Sequence, residues 1–94
     1  MIRRTDANQK TIVAGLRDLG ASVLILAGVG CGCPDLLVGW RGYNILVEIK
    51  NLAGRGDRLT PAENEFMSAW RGGQVEVVHD IDEALAIIGE KQGV

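Results

Sequence analysis

The stretch whose reading decides the fold is "PDLLVGWRGYNILVEIK", residues 34–50. Two largely apolar runs, "DLLVGW" and "YNILVEIK", flank Arg41-Gly42, and an X-Gly pair between such runs predicts a two-residue hairpin turn. With that turn, Trp40 faces Tyr43 and Asp35 faces Glu48. Directly opposed residues of an antiparallel pair have Cβ atoms about 4.5–5.5 Å apart and point to the same face. Lys50 lies two residues beyond Glu48 and shares its face, whereas Val47 and Ile49 point the other way. The spacing therefore gathers two carboxylates and one ammonium at one spot. A slip of one residue would send Asp35 and Glu48 to opposite faces and dissolve the cluster.

Two carboxylates about 5 Å apart repel by roughly 3 kcal/mol at an effective dielectric near 20, a large fraction of a small domain's stability. Lys50 offsets part of this. A divalent cation taking oxygen ligands from both acids would offset more, and Mg²⁺ favours carboxylate and water ligands and bridges to phosphate. Such an ion can activate a water for attack on phosphorus, with Lys50 orienting that water or binding the scissile phosphate. The same spacing also permits an ordinary solvated salt-bridge network at a sheet edge. The apolar character of both strands, and the glycine-proline loop that narrows the approach to them, favour a site.

Around this hairpin the rest of the chain is short. Its 94 residues allow one hydrophobic core, hence a single domain over residues 1–94. Apolar residues make up 47% of the sequence but aromatics only 4%, so the interior is expected to be Val, Ile, Leu and Ala. Ile12, Val13, Leu16 and Leu19 recur at helical spacing behind Asp6 and Gln9, which resemble a capping box, and predict a helix over about 7–19. "ASVLIL" (residues 21–26) reads as a buried strand before the glycine-rich "AGVGCGCP". Thr60-Pro61-Ala62-Glu63 supplies an N-cap, a proline at the first helical position and a capping glutamate for a helix ending near Arg71-Gly72-Gly73. "QVEVV" (residues 74–78) alternates as a strand, and Asp80 with Glu83 caps a short last helix through "DEALAII". The expected order is α-β-β-β-α-β-α, an α/β fold with a mixed central sheet flanked by helices.

Charge is unevenly spread. Residues 1–58 carry eight Lys/Arg against five Asp/Glu, and residues 59–94 carry two against seven, so a polyanion would meet the first part. Arg41, Arg55, Arg58 and, from the first helix, Lys10 are the candidate phosphate contacts; each can equally be a solvated charge. Cys31 and Cys33 are too close for an unstrained disulfide, and the single histidine, His79, has no spaced partner with which they would hold zinc. They are read as loop packing in a reducing compartment, and His79 as a surface residue. Phe66, Met67 and Trp70 share one helical face, as core or as part of a dimer interface. No apolar run is long enough to span a membrane, and the expected location is the cytoplasm.

The combination of "GCPDLL", a turn and "VEIK" resembles the Pro-Asp…(Asp/Glu)-X-Lys signature of the PD-(D/E)XK nucleases. With "RLTPAENEFMSAW" and the strand "QVEVV" downstream, the chain is similar, from about residue 6 to 88, to the virus-type replication-repair nuclease (VRR-NUC) domain, including its stand-alone phage-like forms. The resemblance implies a restriction-endonuclease-like αβββαβ core and a Mg²⁺-dependent deoxyribonuclease in which Mn²⁺ can substitute. It implies that Asp35, Glu48 and the backbone carbonyl of Ile49 bind the metal and that Lys50 is catalytic. Many members carry a glutamate on the first helix; here that helix offers Asn8, Gln9 and Thr11, and Gln9 is placed in the role. The partners implied are DNA, including branched or four-way junctions, and a second copy of the chain, in a bacterial or phage-infected cell. A DNA-binding or assembly module that has lost activity is the alternative.

Overall fold

In the computed structural model, which describes residues 4–51 and 58–92, the elements follow the expected order. They are α1 (Arg4–Leu19), β1 (Ser22–Ile25), β2 (Leu36–Trp40), β3 (Tyr43–Ile49), α2 (Pro61–Ala69), β4 (Glu76–Val78) and α3 (Ile81–Gln92). The sheet runs β1-β2-β3-β4. Its first three strands form an antiparallel meander and β4 lies parallel to β3. Parallel neighbours need a crossover connection, and the segment containing α2 supplies it.

The hairpin register is the one the turn dictates. Trp40 pairs with Tyr43, Val38 with Ile45 and Leu36 with Val47. Arg41 and Gly42 both have positive φ, at 47° and 90°, the requirement of the hairpin turns whose twist matches that of the strands. Gly42 adopts this freely, whereas Arg41 is held there, its guanidinium 5.2 Å from the centre of the Trp40 ring.

Alternation along the strands assigns the two faces. Val23, Leu36, Val38, Ile45, Val47, Ile49 and Val78 are buried on one face against Ile12, Val13 and Leu16 of α1 and Ala84 and Ile88 of α3. Gly15 brings these two helices together, because a methyl group there would run into the Ile81 side chain. The opposite face carries the row Leu24, Leu37 and Leu46 and, one step further along β3, Glu48.

Several boundaries differ from expectation. α1 starts at Arg4, so Asp6 sits in its first turn and is not an N-cap. α3 extends to Gln92. Asp80 caps α3 through Glu83 N–H at 2.8 Å, but the Glu83 carboxylate does not complete the box: it accepts from the His79 N–H and contacts His79 Nδ1. The core reading of Phe66, Met67 and Trp70 is corrected. α2 has no buried residue, and Trp70 is 48% exposed. That helix is fastened by its N-terminus instead, and none of its side chains belongs to the buried cluster.

Candidate active site

Asp35, the residue before β2, is held at both ends. Its carbonyl accepts the Leu26 N–H at 2.8 Å, and its Oδ2 accepts the Ile49 N–H at 2.7 Å. The carboxylate thus continues the β2–β3 ladder by one rung and comes to lie beside Glu48. In an antiparallel pair the N–H and C=O of one residue point to the same neighbour, so the Ile49 carbonyl is directed to the Asp35 side as well. The Lys50 N–H turns the other way, to the Val78 carbonyl at 2.9 Å.

Among the described residues Glu48 is the buried ionisable one, 3% exposed, in a sheet position where an aliphatic side chain would cost far less. Lys50 Nζ lies 3.6 Å from Glu48 Oε2 and 2.7 Å from Glu63 Oε1. Glu63 comes from the first turn of α2 and serves two purposes. Its Oε1 accepts the Thr60 N–H at 2.8 Å while its own N–H donates to Thr60 Oγ1 at 3.2 Å, completing the capping box that the sequence predicts. The same oxygen holds the lysine. Gly32 permits this docking: its φ is +77°, and a Cβ there would strike the Ala62 carbonyl and the Glu63 nitrogen. Glycine at 32 therefore lets the loop before β2 close on the start of α2 and bring Glu63 to the site.

Burial and the charges crowded into this volume shift Glu48, Lys50 and Glu63. Burial first, then the charges of Asp35 and Glu63 and a hydrogen bond with Glu63, push the Glu48 carboxyl up to about 8, against the pull of Lys50 in the other direction. Glu48 therefore holds its proton at neutral pH. Burial works against the Lys50 ammonium, but the hydrogen bond to Glu63 and the charges of Glu63, Glu48 and Asp35 outweigh it and raise its pKa. Glu63 is likewise penalised by burial, yet the hydrogen bonds from Lys50 and from the Thr60 backbone bring it below the usual range. Cys33 belongs to the same neighbourhood: burial and the charges of Glu48 and Asp35 push its thiol up, so it stays protonated and free.

Among the described residues, no group of three or more His, Cys, Asp and Glu is arranged to hold a metal ion. What the chain offers is smaller: Asp35, whose second oxygen is not used by Ile49, the Glu48 carboxylate and the Ile49 carbonyl. This all-oxygen set suits Mg²⁺ or Mn²⁺, and Mg²⁺ commonly takes only one or two carboxylates and fills its remaining positions with water and phosphate. The chemistry of these oxygen donors is compatible with such an ion, whereas the burial that raises the Glu48 carboxyl opposes any charge there until the proton is exchanged for a metal.

The structure thus brings together Asp35, Glu48, Ile49 and Lys50. The others lie apart. Gln9 and Lys10 line a groove between α1 and β1 with Val13, Ala14, Arg17 and Ile25. Asn8, also weighed for the first helix, donates to the His79 carbonyl at 3.0 Å and ties α1 to the end of β4. Arg41 is at the hairpin turn, the far end of β2 and β3 from Asp35. Arg58 is exposed, and Arg55 falls outside the described residues. The sequence showed Glu63 only as a helix cap. Its second role depends on a contact between α2 and Lys50 that no local spacing encodes.

No family model matches the chain, and no curated protein or solved structure matches it. Among the described residues no helix is long and apolar enough to cross a membrane.

Proposed function

We propose that the chain is a metal-dependent deoxyribonuclease, hydrolysing phosphodiester bonds in DNA with Mg²⁺, or Mn²⁺ in its place, held by Asp35, Glu48 and the Ile49 carbonyl. The observation that carries this reading is the convergence of Asp35, buried Glu48 and Lys50 at the open end of the hairpin, against the electrostatic cost of placing them there. The ion, when bound, would neutralise phosphate charge and acidify an attacking water.

The chain's own groups do the rest. Asp35, pinned by the Ile49 N–H, is a preset ligand that needs little reorganisation. Glu48 must give up its proton before it can bind a cation, so metal binding releases a proton near neutral pH. Lys50, with its pKa raised, remains an ammonium at working pH. It therefore acts as a donor, orienting water or holding the scissile phosphate, and not as a general base. Glu63 aims that ammonium and is a positioning residue. Gln9, which faces the groove between α1 and β1, is left out of the metal site, and Lys10, Arg41, Arg55 and Arg58 would hold the DNA backbone away from the scissile bond.

A homodimer would use the edge strand β1, where Leu24 and Ile25 are 61% and 51% exposed and the Arg17 guanidinium donates to the Val23 carbonyl at 2.9 Å. Free thiols at Cys31 and Cys33 suit a reducing cytoplasm, of a bacterium or of a phage-infected cell. Branched or four-way DNA is the substrate class to test first.

A second reading has its own support: Lys50 already neutralises Glu63 at 2.7 Å and Glu48 keeps its proton, so these three groups are satisfied without a cation. This favours a DNA-binding or assembly module without turnover. The two separate in one assay, cleavage of duplex, flap and four-way DNA in Mg²⁺ or Mn²⁺ by the wild type, Glu48→Gln and Lys50→Ala. Products from the wild type alone support the nuclease. Equal products from all three remove the catalytic assignment, and salt-sensitive binding with no product supports the module.

A further inference from the structure

The geometry points to a base-stacking platform at Phe66 of α2 and Trp70 at its C-cap, which would hold an unpaired nucleobase of a DNA strand whose backbone lies at the Asp35–Glu48–Lys50 site. The proposal deepens the nuclease reading and rests on it.

Glu63, which touches Lys50, is followed at helical positions i+3 and i+7 by Phe66 and Trp70, so all three lie along one side of α2. Phe66 and Trp70 form a stacked pair with ring centroids 5.3 Å apart and planes 13° from parallel. Two further contacts hold the tryptophan in place. Its backbone N–H donates to the Phe66 carbonyl at 3.0 Å, and the nitrogen edge of its indole abuts Gly72, where a Cβ would come within 2.7 Å of the ring nitrogen. The indole is nonetheless 48% exposed. A large aromatic ring fixed in orientation but left open to solvent loses little entropy when a second ring stacks on it.

The size of the patch argues for a base and against a protein partner. A half-exposed indole presents about 100 Å², whereas a stable protein interface needs about 800 Å² per partner. The surrounding side chains of Asn64, Glu65, Ser68 and Arg71 are all exposed and polar. Residues 59–94 are acidic on balance, with two Lys/Arg against seven Asp/Glu, so the platform would hold a base and leave the backbone to other parts of the chain. Glu65 lies about 200° around the helix from Glu63, and Arg71, next to the tryptophan, is an exposed cation. From Glu63 to Trp70 the helix rises about 10 Å, a span that an unpaired strand, longer per nucleotide than the roughly 3.4 Å of a duplex strand, covers in three nucleotides or fewer. A paired base offers no free face at that distance, so the platform selects DNA that is unpaired within two or three nucleotides of the scissile bond.

The test uses the full chain and a 12-nucleotide oligothymidine, with a blunt duplex as control, in EDTA and again in Ca²⁺, read by tryptophan emission and by direct affinity. Trp70→Phe, Trp70→Ala and Trp40→Phe are compared with the wild type. The single strand should quench emission in the wild type and in Trp40→Phe but not in Trp70→Phe. The preference for single strand over duplex should fall roughly tenfold in Trp70→Ala and be largely kept by Trp70→Phe, since base–aromatic stacking tolerates a change of ring. Equal quenching in Trp70→Phe, or an unchanged preference in Trp70→Ala, would overturn the platform. So would sedimentation showing that Trp70→Ala converts a dimer to a monomer while the oligonucleotide leaves the emission untouched. Metal-dependent cleavage without quenching would reject the platform and leave the nuclease reading standing; absence of both cleavage and binding would reject the two together.

Discussion

Replacing Glu48 by glutamine exposes the electrostatic cost of the site as a dependence of stability on pH. In the folded chain the Glu48 carboxyl is pushed from an ordinary 4.5 up to about 8, mainly by burial and by the charges of Asp35 and Glu63. The sign follows directly. Between those two values the folded chain keeps a proton that the unfolded chain releases, so the contribution of neutral Glu48 is complete below about pH 4.5 and is lost as pH rises toward 8. At 1.36 kcal/mol per unit the full loss is on the order of 5 kcal/mol, comparable with the whole stability of a 94-residue domain, about 5–14 kcal/mol at typical values per residue. The neighbours act outside this window. Glu63, lowered in the folded state, contributes stability that is lost as pH falls below the usual glutamate range. Lys50, raised, contributes stability that is lost only above the usual lysine range.

Urea unfolding followed by far-ultraviolet circular dichroism at pH 5.5, 6.5 and 7.5 reads the effect. The wild type should lose stability with a slope approaching 1.4 kcal/mol per pH unit. Glu48→Gln should be nearly flat, because its amide copies the neutral acid: it can donate to Glu63 and still accept from Lys50. The two chains should agree to about 1 kcal/mol at pH 5.5 and diverge above it, the variant being the more stable. Added Mg²⁺ should restore stability to the wild type at pH 7.5 and do little for the variant, a readout independent of activity. Parallel pH profiles for the two chains would refute the assignment of the cost to Glu48.

Four further outcomes follow from the same contacts. Asp35→Ala should cost about 1–3 kcal/mol by stranding the Ile49 N–H, whereas Asp35→Asn, which keeps an acceptor, should cost less than half of that in the same urea series. Gly32→Ala should destabilise by at least about 1–2 kcal/mol, since it meets both the positive φ and the backbone of α2, and its cleavage rate should fall with it as Glu63 is displaced from Lys50. Cleavage by the wild type should rise from pH 6 to 8.5 as Glu48 gives up its proton to make way for metal; a rate that falls over that range would contradict the raised carboxyl. Lys50→Arg should leave the chain folded, by thermal melting, but cut cleavage at least tenfold, because a planar guanidinium cannot reproduce a point charge set between Glu48 and Glu63.

What the sequence made legible, and what it did not, divides along the reach of each interaction. The hairpin register rests on a turn of two residues and on the period of two along a strand, both local, and so Asp35 and Glu48 could be placed opposite one another from their numbers alone. The capping box at Thr60 and Glu63 is equally local. The docking of α2 is not. Its apolar residues at 66, 67 and 70 have the spacing of a core-facing stripe, and periodicity alone assigns them to the interior. Among the described residues the interior is already filled by α1, α3 and the sheet, with a void of about 10 Å³ among Leu16, Val38, Ile45, Val47, Val78, Ala84, Ile87 and Ile88. A helix excluded from the core must be held by something else, and here that is Glu63 on Lys50 and the close approach allowed by Gly32. The residue overlooked at the site and the stripe misread as core are therefore one fact: α2 is attached through the charges of the candidate site, and whatever those charges bind will also set how that helix sits.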